Sequence, residues 1–153
     1  MDNNALNTKH RISRKQRRRA RAFAVQAVYQ YAFNRQDLAE LKQQFRVNNA
    51  KTKIEWDFFD DLLGGVMAML SELDELIAPA LSRDLADVNS IDLAILRVGA
   101  YELKCRLDVP YKVAINEYID LAWQYGAADE AYRFINGVLN KLAKALRPVE
   151  YGA

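Results

Sequence analysis

A chain of 153 residues, 51% hydrophobic and 27% charged, with six glycines and three prolines, has the make-up of one folded domain rather than of a disordered segment. One cysteine, Cys105, and one histidine, His10, exclude an internal disulfide and leave too few side chains for a His/Cys zinc site. The net charge of +2 hides an asymmetry: residues 1–21 hold eight basic groups against one acid, and the other 132 hold 14 basic against 19 acidic. A basic arm on a mildly acidic body suits a polyanionic partner.

Residues 1–12 are polar and aperiodic and read as a disordered tail. Ser13 is placed to cap a first helix over 14–34, in which Ala20, Phe23, Ala24, Ala27, Val28 and Tyr31 recur at helical spacing. Asp37 opens a short helix to Phe45, and 46–52 is a polar loop. From Trp56 to Pro79 an apolar stripe predicts two successive helices, interrupted by Gly64 and Gly65, whose use in a helix is to let a neighbour approach closely. After the polar segment 82–89, Asn89 or Ser90 caps a helix that is apolar nearly all round from Ile91 to Leu107, the pattern of a central, buried element. Asp108 and Pro110 start the next helix and Gly126 ends it; Asp129 caps the last, which runs to Arg147 before Pro148. Asn136-Gly137 would mark a hairpin elsewhere, but no alternating pattern flanks it. The expectation is an all-α fold of about seven helices in two small packed bundles, a single domain over 13–148 with a C-terminal tail over 149–153.

No apolar stretch is long enough to span a bilayer and no secretory segment opens the chain, so the expected location is the cytoplasm, away from membranes. At about 100° per residue, Arg14, Arg17, Arg18 and Arg21 share one face of the first helix, which continues through Val25 to Tyr29. Guanidinium groups bind phosphate bidentately and stack on bases, so a row of them beside an aromatic suits single-stranded RNA. Cations near a helix N-terminus oppose its dipole and repel one another, an arrangement folding alone does not favour. Four phosphate contacts predict roughly a 50-fold loss of affinity between 50 and 200 mM salt. Tyr132 and Phe134 flank Arg133; such rings belong by default to the core, and one left exposed would serve base stacking. Catalysis finds no positioned base or nucleophile: His10 lies in the tail, Cys105 reads as a core residue, and no phosphate-cradling glycine loop occurs. The expectation is a protein that is not an enzyme, with no metal and no cofactor.

The strings RRRARAFAVQAVY, DLLGGV, LRVGAYEL, DVPYKVAINE and RFINGVLNKLA, in this order and at these spacings from about Arg17 to Pro148, make the chain resemble the NusB family of transcription antitermination factors. The resemblance implies a seven-helix fold that binds the boxA element of ribosomal RNA leader transcripts. It implies pairing with the small-subunit ribosomal protein NusE and action on RNA polymerase as it reads through terminators. It also implies RNA contacts at Arg17, Arg18, Arg21, Arg83, Arg97, Tyr111, Lys112, Arg133 and Phe134, and contact with the ribosomal protein at Tyr29 and Asp92. The chain departs from the family pattern by a one-residue insertion around 128–131 and by Ala80, where an aromatic can occur. Two alternatives stand beside this reading. One is the related RNA-binding domain of ribosomal RNA cytosine methyltransferases, which would need a further α/β domain beyond Ala153. The other is a homodimer whose arginines serve the interface.

Overall fold

The computed structural model describes the backbone of residues 3–152 and the side chains of 13–152. Among these residues the chain forms eight α-helices and no strand: α1 (Asn3–Phe33), α2 (Leu38–Asn48), α3 (Trp56–Ala68), α4 (Leu70–Ile77), α5 (Ser90–Cys105), α6 (Tyr111–Tyr125), α7 (Ala131–Leu146) and α8 (Pro148–Gly152). Single 3₁₀ turns at Ala78–Ala80 and Leu85–Asp87 lead from α4 to α5. The helices α1, α2 and α3 pack as one group and α4, α6, α7 and α8 as another, with α5 against both. The all-α, two-bundle expectation is met, and the central helix is the one apolar all round.

Local differences have physical causes. Helix α1 starts well before Ser13, which lies inside it rather than at its cap; of the expected tail, residues 1 and 2 fall outside the described residues. The break between α3 and α4 falls at Met69, not at the glycine pair. Gly65 serves close approach: a Cβ there would overlap the ring of Tyr101 on α5. Gly126 ends α6 with φ −56° and ψ 149°, so it is needed for space against the Ala122 carbonyl and Ala131 rather than for a left-handed conformation. Asn89 caps α5, its Oδ1 accepting from the Ile91 N–H at 3.0 Å. Asp129 is not a cap, since α7 starts at Ala131 with Glu130 before it.

The segment read as a C-terminal tail is mostly helix α8, held down by specific bonds. Glu150 Oε1 accepts from the Tyr111 N–H (2.8 Å), satisfying a free donor in the first turn of α6, and Tyr151 packs on Tyr111 at 5.1 Å between ring centroids. Just before α8, the buried Arg147 donates to the carbonyls of Leu103 (2.8 Å), Arg106 (2.8 Å) and Glu102 (3.2 Å), and also to Val109. Its guanidinium caps the negative end of α5 from outside the helix, giving the Leu103 carbonyl a donor and adding a second one to those of Glu102 and Arg106.

Candidate nucleic-acid interface

The basic run on α1 divides in two. Arg21 is 3% exposed and donates through Nε and Nη2 to both carboxylate oxygens of Glu102 on α5, at 2.8 and 2.7 Å. Tyr118 on α6 donates its hydroxyl to the same carboxylate at 2.7 Å. Burial by itself would lower the pKa of Arg21; the hydrogen bonds and charge of Glu102 outweigh it and the net shift is upward. The guanidinium expected to face phosphate is thus closed off from solvent and bonded within the scaffold. Arg17 is partly so, bonded to Glu55 at 3.0 Å and paired with Asp108 at 3.5 Å.

Around these groups lies one compact network. The guanidiniums of Arg17, Arg21 and Arg106 stand 4.7, 5.1 and 4.9 Å from the centroid of the Phe58 ring. Arg106 bonds Asp61 (3.1 Å) and Asp108 (3.0 Å), and the Tyr101 hydroxyl donates to Asp61 at 2.8 Å. The bonds from Arg106 hold the Asp108 carboxyl at a pKa of about 2. Folding thus does favour much of the arginine cluster, because α3, α5 and the α5–α6 turn set acids and an aromatic face against it.

What faces solvent is a rotated face of α1: Arg14, Lys15, Arg18 and Arg19 are all exposed. Arg18 makes a two-pronged bond to Glu117 of α6 (3.0 and 3.1 Å) and Arg19 donates to the Lys53 carbonyl at 2.9 Å. Arg18 and Arg19 line a groove between α1 and α6, about 260 Å³, together with Phe23, Gln26, Gln124 and Tyr125.

The remaining candidates gather in two clefts and two isolated positions. Arg83 lies over the ring of Phe134 at 4.4 Å, and both line a cleft of about 500 Å³ with Arg133, Asn89 and Asp92. Tyr111 and Lys112 line a smaller groove between α6 and α7 with Asn116, Asn136 and Asn140. Arg97 stands apart from all three, half-buried in a two-pronged bond to Asp74 of α4, both contacts 2.9 Å. Asp92 is buried, its Oδ1 accepting from the Ala127 N–H at 3.1 Å, so it anchors the α6–α7 loop as well as lining the cleft. Tyr29 is exposed and meets Phe33 edge-on at 4.9 Å. Cys105 is exposed at the end of α5 rather than in the core, with Met69 sulfur 4.0 Å away, and partial desolvation pushes its thiol pKa up.

Sequence reasoning missed Phe33 and Trp123, which are 67% and 62% exposed. Their signal was available: Phe33 lies one turn beyond Tyr29 and just before the polar run 34–37, and Trp123 falls on the polar stripe of α6 with Lys112 and Asn116. It also missed Glu102, a carboxylate in the middle of the largely apolar α5, which by its burial demands a cation.

The NusB family model matches residues 18–144. The chain belongs to the NusB family. A transcription antitermination protein NusB of Marinobacter nauticus is 46% identical over 134 residues, 88% of this chain and 84% of that one. Its counterpart in Idiomarina loihiensis is 46% identical over 132 residues, 86% and 94% of the two chains. The solved NusB of T. maritima superposes with a TM-score of 0.78 at 29% identity, covering 90% of this chain and 97% of the other. A NusB structure solved with NusE and double-stranded RNA superposes with a TM-score of 0.74 at 25% identity, covering 86% and 98%. The span matched by the NusB family runs from Arg18 to Lys144 and so takes in the α1 groove and both clefts. Among the described residues no helix is long and apolar enough to cross a membrane, and no cluster of metal-binding side chains occurs.

Proposed function

We propose that this protein is a transcription antitermination factor that binds the boxA element of ribosomal RNA leaders together with the ribosomal protein NusE, and so lets RNA polymerase read through terminators. The observation that carries the reading is the exposed face of Arg14, Lys15, Arg18 and Arg19 on an otherwise acidic chain. Family membership and the existence of a NusB–NusE structure with RNA support it.

In this reading the exposed α1 face and the Arg83–Phe134 cleft hold phosphates and bases, and Lys112 and Arg133 extend the path. Tyr111 contributes only its edge, because it is buried against Tyr151, and Arg97 acts through its pairing with Asp74. Arg17 can reach the strand only past Glu55 and Asp108. Tyr29 with Phe33 forms the apolar part of the protein contact, and Asp92 shapes it by holding the loop at Ala127. The chemistry is binding, with location in the cytoplasm.

Fluorescence anisotropy with a boxA-containing RNA, with and without NusE, tests the proposal. The expected result is salt-dependent binding strengthened by NusE and weakened by Tyr29→Ala only when NusE is present. Binding indifferent to both salt and NusE would overturn it.

A further inference from the structure

Near the far end of α6 stand two stacked rings that line neither the α1 groove nor the Arg83 cleft. The Trp123 and Tyr132 rings stack at 4.1 Å between centroids and 13° between planes. Arg133 donates through Nε to the Tyr132 hydroxyl at 2.9 Å, its guanidinium 5.5 Å from the ring centroid. Trp123 is 62% exposed, although one side of its ring is already covered by Tyr132. A large flat surface is thus held rigidly and left open to solvent.

Position on the helices connects this stack to the groove beside it. Along α6, Lys112, Asn116 and Trp123 fall on one stripe, within about 40° of each other at helical spacing. Along α7, Tyr132, Asn136 and Asn140 follow at four-residue steps, spread over about 80°. Asn116, Asn136 and Asn140 line the groove with Lys112, and in helical order the aromatic stack lies beyond its Asn116–Asn136 end, away from Lys112. Carboxamides pair with base edges, and flat rings stack on base faces.

Resting on the RNA-binding reading above, we propose that Trp123, braced by Tyr132, is a stacking platform for one unpaired RNA base at the end of the α6–α7 groove. Lys112, which lines the groove, and Arg133, which braces the Tyr132 ring, favour a polyanion. A protein-docking patch needs contiguous apolar surface, and the exposed neighbours of Trp123 on its face of α6 are Lys112, Asn116 and Asp120. Glu130, 3.9 Å from Arg133, sits at the rim, which places the base rather than a phosphate on the stack.

The chain has two tryptophans, so Trp56→Phe leaves Trp123 as the sole tryptophan, excited selectively at the red edge where its tyrosines do not absorb. That protein is titrated with a single-stranded RNA of about 12 nucleotides and with an abasic ribose-phosphate strand of the same length. Quenching by RNA and none by the abasic strand is expected. In the native background, Trp123→Ala should weaken RNA binding about 5- to 150-fold, the range seen for loss of one base–aromatic stack. Abasic-strand binding and melting temperature should be unchanged, and Trp123→Phe should restore most of the affinity. Full RNA affinity in Trp123→Ala, or equal quenching by both strands, would overturn the platform while leaving the RNA-binding reading intact. Failure of both strands to bind the unaltered protein would remove both. Self-association abolished by Trp123→Ala would assign the ring to a second copy of the chain instead.

Discussion

Arg14 and Arg21 belong to the same run on the same helix, seven residues apart and within about 20° of each other around the axis, yet one is exposed and the other is 3% exposed. What separates them is what α5 and α6 place opposite. The outer end of the run meets solvent; the inner end meets Glu102 and the Tyr118 hydroxyl, which make a guanidinium there a structural requirement. A basic cluster is therefore not one functional unit. Its share in binding is set by how many of its charges already have carboxylates.

The sharpest way to break this comparison is to remove the inner charge. Arg21→Ala leaves Glu102 buried without a cation, which costs about 3–5 kcal/mol. For a domain of this size the melting temperature should fall by about 6–20 °C. RNA affinity of the folded protein, measured well below the transition, should be unchanged. Pairing Arg21→Met with Glu102→Gln should recover most of the stability, since the amide still accepts from Tyr118. A variant that melts normally and loses RNA would return Arg21 to the binding surface.

The outer charges should behave in the opposite way. Changing Arg14, Lys15, Arg18 and Arg19 together to glutamine should move stability little, because exposed pairs such as Arg18–Glu117 are worth about 0–1 kcal/mol. The four α1 contacts should account for roughly 50-fold of the affinity lost between 50 and 200 mM salt, and the variant should show a markedly shallower slope, the remainder coming from Arg83, Lys112 and Arg133. An unchanged salt slope in anisotropy titrations would place the phosphate contacts elsewhere.

A smaller effect tests how the cleft is framed. Asn89→Ala removes the cap of α5 and should cost about 1 kcal/mol, or a melting temperature about 2–4 °C lower. If stability is unaffected, the Asn89 side chain is there for the cleft and not for the helix.

How much of this could be read from residue order differs by kind of information. Helical periodicity located seven of the eight helices and the buried character of α5, because one helix that is apolar all round leaves no alternative. It gave no hint of α8, a single turn after Pro148 whose docking depends on Glu150 reaching Tyr111, 39 residues away in the chain. The same limit governs the site. Spacing shows which residues share a helix face, but the partners that neutralise Arg17, Arg21 and Arg97 come from the residue before α3, from α5 and from α4, and no local pattern announces them. The Arg83–Phe134 contact crosses 51 residues, and the Trp123–Tyr132 stack depends on how the α6–α7 loop folds back, with Asp92 holding it at Ala127.

The smallest expected effect separates scaffold from surface by pH. Asp108 sits between Arg106 and Arg17, and the Arg106 bonds lower its carboxyl from the ordinary 3.8 to about 2. A depressed carboxyl pKa means the folded state binds the proton less readily than the unfolded chain. The stabilisation is therefore complete above about pH 4 and is lost as pH falls toward 2. Because the Asp108 side chain is 51% exposed, solvent screens the interaction and the contribution is small. Asp108→Asn should lower the melting temperature slightly at pH 6, and the gap to the unaltered protein should close between pH 4 and 2. A gap that persists unchanged at pH 2 would mean that the side chain acts through its shape and hydrogen bonds rather than through its charge. The three guanidiniums around Phe58 would then be held by Glu55, Asp61 and Glu102 alone.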